Sequence, residues 1–171
     1  MYKMCKNLSV IVLLLTLVGC VGNTTKPTTS TQVKSSVTIL SLQQAEEQLL
    51  GYYTLWEGTP YLFGGNSDEG IDCSAFVRNA YQSVFGLDVP RTTLAQAEIG
   101  ENIAKADLIP GDLVLFKTSR STRHVGVVVQ GNKFMHVSTK KGVIVSSLDN
   151  VYWRKKYWKA VRPDNGLAIN S

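Results

Sequence analysis

The chain has 171 residues, 44% of them hydrophobic, enough for one domain with a proper core. Its formal charge is +5, and about +3 once Lys3 and Lys6 are set aside with a cleavable start. That is too mild to argue for a nucleic-acid partner, though it tolerates an anionic polymer.

Lys3 and Lys6 precede an apolar run from Leu8 to Val18, too short to span a bilayer as a mature helix. The run ends in Leu17-Val18-Gly19-Cys20. A positive start, a short apolar core and small residues before a cysteine resemble the lipobox of bacterial lipoproteins. The resemblance implies a signal over residues 1–19, lipidation of Cys20 and attachment to the membrane through that anchor. An ordinary secretory signal is the alternative. Val21 follows, where enteric lipoproteins kept at the inner membrane carry Asp, so the implied place is the outer membrane, facing the periplasm. Residues 20–40 then comprise the anchor and a Thr-, Ser-, Lys- and Gln-rich flexible tether, and residues 41–171 the folded domain.

Cysteine counting follows from this. Cys5 leaves with the signal and Cys20 is lipidated, so Cys73 alone remains as a thiol. In an oxidising compartment a structural cysteine normally finds a partner, and a lone one suggests a reactive role. A small buried hydrophobe is the other reading.

Leu42, Ala45, Leu49, Tyr52 and Trp56 recur at three- and four-residue steps and predict a helix, with Ser41 as N-cap and Gly58 and Pro60 closing it. A Gly- and Asp-rich loop over 63–70 leads to a second helix from Asp72 or Cys73 to about Phe85, capped by Gly86. A shorter helix is expected from Thr93 to Ile99, stopping at Gly100. After Pro110-Gly111 the pattern becomes short β-rich runs: 113–116, 124–129, 134–137 and 143–145, with an edge strand near 159–162. Gly131-Asn132 predicts a tight antiparallel hairpin. Basic residues cluster in Trp153-Arg154-Lys155-Lys156-Tyr157-Trp158-Lys159 and read as a solvated face with the aromatics packed inward. Helices first and an antiparallel sheet afterwards is an α+β arrangement.

A thiol attacks as thiolate, and a free one titrates near ~8.5. A helix N-terminus and an adjacent imidazolium both lower that value, and Cys73 opens the second helix. The two histidines of the chain, His124 and His136, lie on consecutive strands of the predicted hairpin. With the turn at Gly131-Asn132, His124 lies further along its arm than His136, an offset that side chains can bridge. Gly126 and Ser138 are expected to leave room for the helix N-terminus. The assignment is His124 as general base and His136 as the group that orients it. Zinc is the rival for Cys/His/His, but no Cys-x-x-Cys or His-x-x-x-His pair is present and no carboxylate completes a cluster. No metal or cofactor is expected.

The blocks Gly58-Thr59-Pro60-Tyr61-Leu62-Phe63-Gly64-Gly65 and Gly70-Ile71-Asp72-Cys73-Ser74-Ala75-Phe76-Val77 resemble the signature of the NlpC-type cell-wall peptidases. So do Pro110-Gly111-Asp112-Leu113-Val114-Leu115-Phe116, Arg123-His124-Val125-Gly126-Val127 and Phe134-Met135-His136-Val137-Ser138-Thr139. Five blocks in order, from about Gln48 to Arg162, resemble in particular the small enterobacterial lipoproteins of that family. The resemblance implies a papain-like fold, with N-terminal helices packed on a central antiparallel sheet, and a monomer. It implies a Cys73-His124-His136 centre acting on peptidoglycan, with the Tyr61 hydroxyl and the Cys73 N–H as oxyanion donors. The implied bonds are D-alanyl–diaminopimelate or γ-D-glutamyl–diaminopimelate. An amidase or transferase on the same fold, or a non-catalytic envelope-binding lipoprotein, remain open. One departure is Ala75, where the family usually has Gly. A helix interior favours Ala by up to ~1 kcal/mol, while the extra methyl is expected to narrow the cleft.

Overall fold

The computed structural model describes residues 40–163 and 169–170. The signal, Cys20 and the tether up to residue 39 lie outside the described residues.

The first helix, α1 (Leu42–Trp56), starts where the sequence places it. The Ser41 hydroxyl accepts from the Gln44 N–H, and the Gln44 side chain accepts in return from the Ser41 N–H, a closed capping box. Its apolar face buries Ala45, Leu49 and Tyr52. Just before it, β1 (Leu40–Ser41) pairs in parallel with β10 (Ile169–Asn170), so Leu40, assigned to the tether from sequence, belongs to a strand.

A small hairpin of β2 (Asn66–Ser67) and β3 (Gly70–Ile71) leads into α2 (Cys73–Phe85). Asp72 caps α2 through a 2.8 Å bond from the Ala75 N–H, and Gly86 ends it at φ +66, the left-handed turn that glycine adopts without strain. The third helix, α3 (Thr93–Gln96), is shorter than predicted. Gly100, at φ +76, lies so close to the Arg162 backbone that a Cβ there would fall 1.8 Å from the Arg162 carbonyl oxygen. The chain must leave the helix early to make that approach.

One antiparallel six-stranded sheet follows, built from β4 (Glu101–Ile103), β5 (Leu113–Lys117), β6 (Arg123–Gln130), β7 (Lys133–Ser138), β8 (Gly142–Ser147) and β9 (Tyr157–Arg162). Its order is β4-β9-β5-β6-β7-β8. The final long strand is therefore internal, against the sequence expectation of an edge. The edge seat belongs to β4, three residues that are too few to show a period of two. A last helix, α4 (Val151–Lys156), connects β8 to β9.

Strand alternation divides the apolar residues between the two faces of the sheet. Val125, Val127, Val129, Met135 and Val137 pack with Phe76, Val77, Ala80 and Tyr81 of α2 and with α1. Phe116, Val128 and Phe134 face the other way and are covered by Trp153 and Tyr157. Each such fully buried side chain contributes about 1.5–3 kcal/mol through water exclusion. Ala75 is fully buried in the helix-side core and does not line the cleft described below, so its methyl fills the interior rather than narrowing the site.

Candidate active site

Cys73 is the first residue of α2, 9% exposed, where the helix presents unsatisfied N–H groups and a partial positive charge. Its Sγ lies 3.7 Å from the Thr93 hydroxyl. Burial raises the thiol above its ordinary range, while Thr93 and the backbone N–H groups of Val125 and Ser74 pull the other way. The Val125 contact puts the sulfur against the strand residue next to His124.

Asp72 fixes this end of the helix. Burial works against its ionised form, yet Arg91, the Ala75 N–H and the Ser74 hydroxyl outweigh it and hold the carboxyl below its usual range. Arg91 grips it with both arms, Nη1 to Oδ1 at 2.9 Å and Nη2 to Oδ2 at 2.7 Å. A forked guanidinium–carboxylate pair fixes direction as well as distance.

The two histidines meet as the strand offset allows. Gln130 pairs with Lys133 and, beyond an irregularity in register, Val127 pairs with Met135. His124 Nε2 lies 3.0 Å from His136 Nδ1, and His136 Nε2 lies 2.9 Å from Ser146 Oγ on β8. His136 is 1% exposed. Two proton chains satisfy these bonds, one running from His124 to Ser146 and one the reverse. Base action by His124 requires the first, in which His124 donates from Nε2 to His136 and His136 donates from Nε2 to Ser146. His124 Nδ1 is then the nitrogen with a free lone pair. Burial lowers His124 to about 4. Burial, and then the neighbouring His124, lower His136 to about 3. At neutral pH both rings are uncharged.

Gly126 does not leave room for the helix. A Cβ there would fall 2.6 Å from Phe134 Cδ2 and 3.1 Å from His136 Cβ, so the missing side chain admits the neighbouring strand's rings. Both histidines project to the face away from α2. Cys73 and Tyr61 reach a shared cleft of about 470 Å³ from the helix side, and the histidines reach it from the other. Tyr61 is held beside Ile71, two residues before Cys73, by a parallel bridge. Burial, then the nearby Cys73 and Asp72, raise its phenol.

Four members of this site carried no signal in the sequence, Ser146 at the end of the histidine series among them. Trp153 stacks on His124 at 5.2 Å and meets His136 edge-on at 4.8 Å. Thr93 touches the sulfur, and Arg91 orders Asp72. Trp153 lay in a stretch read for its charges, and Thr93 and Arg91 have no sequence period that ties them to residue 73. Among the described residues, no group of three or more His, Cys, Asp or Glu side chains could hold a metal ion.

The architecture and the site together define a class, an α+β domain of papain-like fold carrying a helix-start cysteine beside a histidine-bearing sheet. The chain belongs to the NlpC/P60 family, which it matches over residues 58–162. It is 42% identical over 155 residues to the probable endopeptidase NlpC of Escherichia coli (strain K12), covering 90% of this chain and 96% of that protein. It is also 42% identical over 117 residues to the murein DD-endopeptidase/LD-carboxypeptidase MepS of the same strain, covering 68% of this chain. The aligned part spans 62% of the length of that relative. A solved NLP/P60 family structure from Staphylococcus aureus, described as similar to lipoprotein, superposes with a TM-score of 0.63 at 26% identity, over 80% of this chain and 45% of that one.

Proposed function

We propose that the protein is a peptidoglycan endopeptidase that cuts an amide bond in the stem peptide or its cross-link through Cys73, His124 and His136. The observation that carries this reading is the hydrogen-bonded series His124–His136–Ser146 in the cleft that Cys73 also lines, with His124 Nδ1 outside that series and open to take a proton. The names of the relatives supply the substrate class. In the proposed cycle the Cys73 thiol gives its proton to His124 Nδ1 as the sulfur attacks the carbonyl carbon. The Cys73 N–H and the Tyr61 hydroxyl receive the developing oxyanion, an interaction whose loss typically costs about 2.7–4 kcal/mol in barrier. His124 returns the proton to the leaving amine as the C–N bond breaks. Water, deprotonated by the same ring, then releases the acyl group from sulfur.

Burial makes the resting pair neutral rather than ionic. Separate charges in the cleft are costly, and a thiolate beside an imidazolium offsets that cost as the proton moves. The D-alanyl–diaminopimelate cross-link is the first bond to test, supported by the relative named a DD-endopeptidase, with γ-D-glutamyl–diaminopimelate second. The remaining parts of the reading are a signal over 1–19, a lipid anchor at Cys20, a tether, a monomeric peptidase domain and an outer-membrane position facing the periplasm. Among the described residues no helix is long and apolar enough to cross a membrane.

Purified muropeptides digested with the protein and weighed by mass spectrometry test the proposal. Products split at a peptide bond by wild type and not by Cys73→Ala are expected. Free glycan strands would point to an amidase instead, and unchanged fragments would defeat the proposal.

A further inference from the structure

Among the described residues, the formally charged side chains that line the cleft with Cys73 are Arg123, Lys140 and Lys141, all of them basic, and no Asp or Glu lines it. Arg123 is engaged locally, its Nη1 donating to the carbonyls of Ser119, Arg120 and Thr122. Lys140 and Lys141 are exposed, and among the described residues neither has an ion pair.

Their position is fixed by backbone contacts. Both N–H groups donate to the Ser138 hydroxyl, at 3.3 and 3.2 Å, which closes the β7–β8 turn. The next residue, Gly142, sits at φ +72 with Thr59 O 2.3 Å from where a Cβ would lie. Val143 N–H donates to Thr59 O, and Gly58 N–H donates to Val143 O, both at 3.0 Å. The turn is thus docked on the segment that carries Tyr61, and Lys140 and Lys141 line the same cleft as Tyr61 and Cys73. Hydroxyls of Ser138 and Thr139 line the cleft beside them.

We propose that Lys140 and Lys141 form a carboxylate-binding subsite that seats an ionised carboxylate of an acidic peptide beside the scissile bond. This rests on the peptidase reading above for the identity of the ligand as a peptide. A flexible ammonium serves a carboxylate as a point charge, and in a cleft without opposing acids its field is not cancelled. The subsite selects peptides that keep a free carboxylate near the cut bond over the same peptides carrying primary amides.

Binding rather than turnover tests this. The full chain carrying Cys73→Ala is titrated calorimetrically with a γ-D-glutamyl tripeptide bearing free carboxylates, and with its carboxamide form, at low and moderate salt. The free acid is expected to bind about tenfold more tightly, with the difference shrinking as salt rises. Adding Lys140→Met and Lys141→Met should weaken the acid by about that factor and leave the amide unchanged. Equal binding of acid and amide, binding of neither, or a preference that survives the double substitution overturns the subsite. Turnover by the wild-type chain is scored separately. A chain that cuts both peptides alike retains the hydrolase reading and loses the subsite. One that discriminates in binding without cutting retains the subsite and loses the hydrolase.

Discussion

His124 Nε2 faces His136 Nδ1 at 3.0 Å, and this contact decides which nitrogen of His124 is left to act on Cys73. Two rings on neighbouring antiparallel strands, offset along the ladder, are the proposed base and orienting group. Removing the base with His124→Ala is expected to lower kcat by about 10²–10⁴-fold. His136→Ala should cost less, and His136→Asn should recover part of the loss by offering a carbonyl to the same N–H. Steady-state kinetics on a defined muropeptide check the order. A His136→Ala enzyme with wild-type kcat contradicts the orienting role.

Ser146 holds the far end of that series through a 2.9 Å bond to His136 Nε2. In the proposed proton chain its hydroxyl accepts from Nε2, which holds His136 in the tautomer whose Nδ1 accepts. Ser146→Ala is expected to lower kcat by about fivefold, the worth of one ordinary hydrogen bond, with KM little changed. Ser146→Thr should restore it. Equal rates in the alanine and threonine variants would remove Ser146 from the account.

Asp72 is the N-cap of the helix that carries the thiol, and Arg91 is its partner. Asp72→Ala removes the cap and leaves Arg91 without its carboxylate, so it should cost about 1–2 kcal/mol in chemical denaturation. The Arg91 side chain is 38% exposed, and Arg91→Met should cost less, about 1 kcal/mol or below. A greater loss from Arg91→Met than from Asp72→Ala contradicts the capping argument.

The buried rings make stability depend on pH. His124 is lowered to about 4 and His136 to about 3 from an ordinary 6.5. Between those values and 6.5 the unfolded chain binds protons that the folded chain does not, so stability rises with pH across this window and falls as the medium is acidified. Asp72 acts in the same direction. Its folded carboxyl titrates below the unfolded one, so its contribution is present above the ordinary carboxylate range and is lost as pH falls through the folded value. The melting temperature should be nearly level around pH 7 and drop steadily below about pH 6. His136→Asn should flatten that drop. A melting temperature constant from pH 7 to 4 would contradict the buried neutral pair.

Much of this site was legible because local rules govern it. Ser41, Asp72 and Gly86 mark helix ends by short-range hydrogen bonds and backbone freedom, and the structure places α1 and α2 accordingly. The turn at Gly131-Asn132 pairs Gln130 with Lys133 as expected, but the irregularity between Val128 and Gln130 then shifts the register by one residue. That shift, which has no signal in the sequence, sets the offset that puts His124 and His136 on one face. What sequence did not reveal depends on distant partners. The edge position of β4 is set by pairing with a strand about 60 residues later, and Trp153 reaches the histidines only because α4 folds back over the far face. Gly126 was correctly singled out as a needed gap but assigned the wrong occupant, because the side of the sheet on which α2 packs has no local signal.

In the proposed cycle Cys73 forms a covalent bond to the substrate. Rapid quenching of the reaction with a defined cross-linked muropeptide, followed by proteolysis and mass spectrometry of the protein, measures this directly. An acyl adduct on the peptide containing Cys73, formed within the first turnover and absent from His124→Ala, is the predicted result. Cleavage that proceeds at full rate in Cys73→Ala, or with the acyl group mapped to another residue, would contradict it.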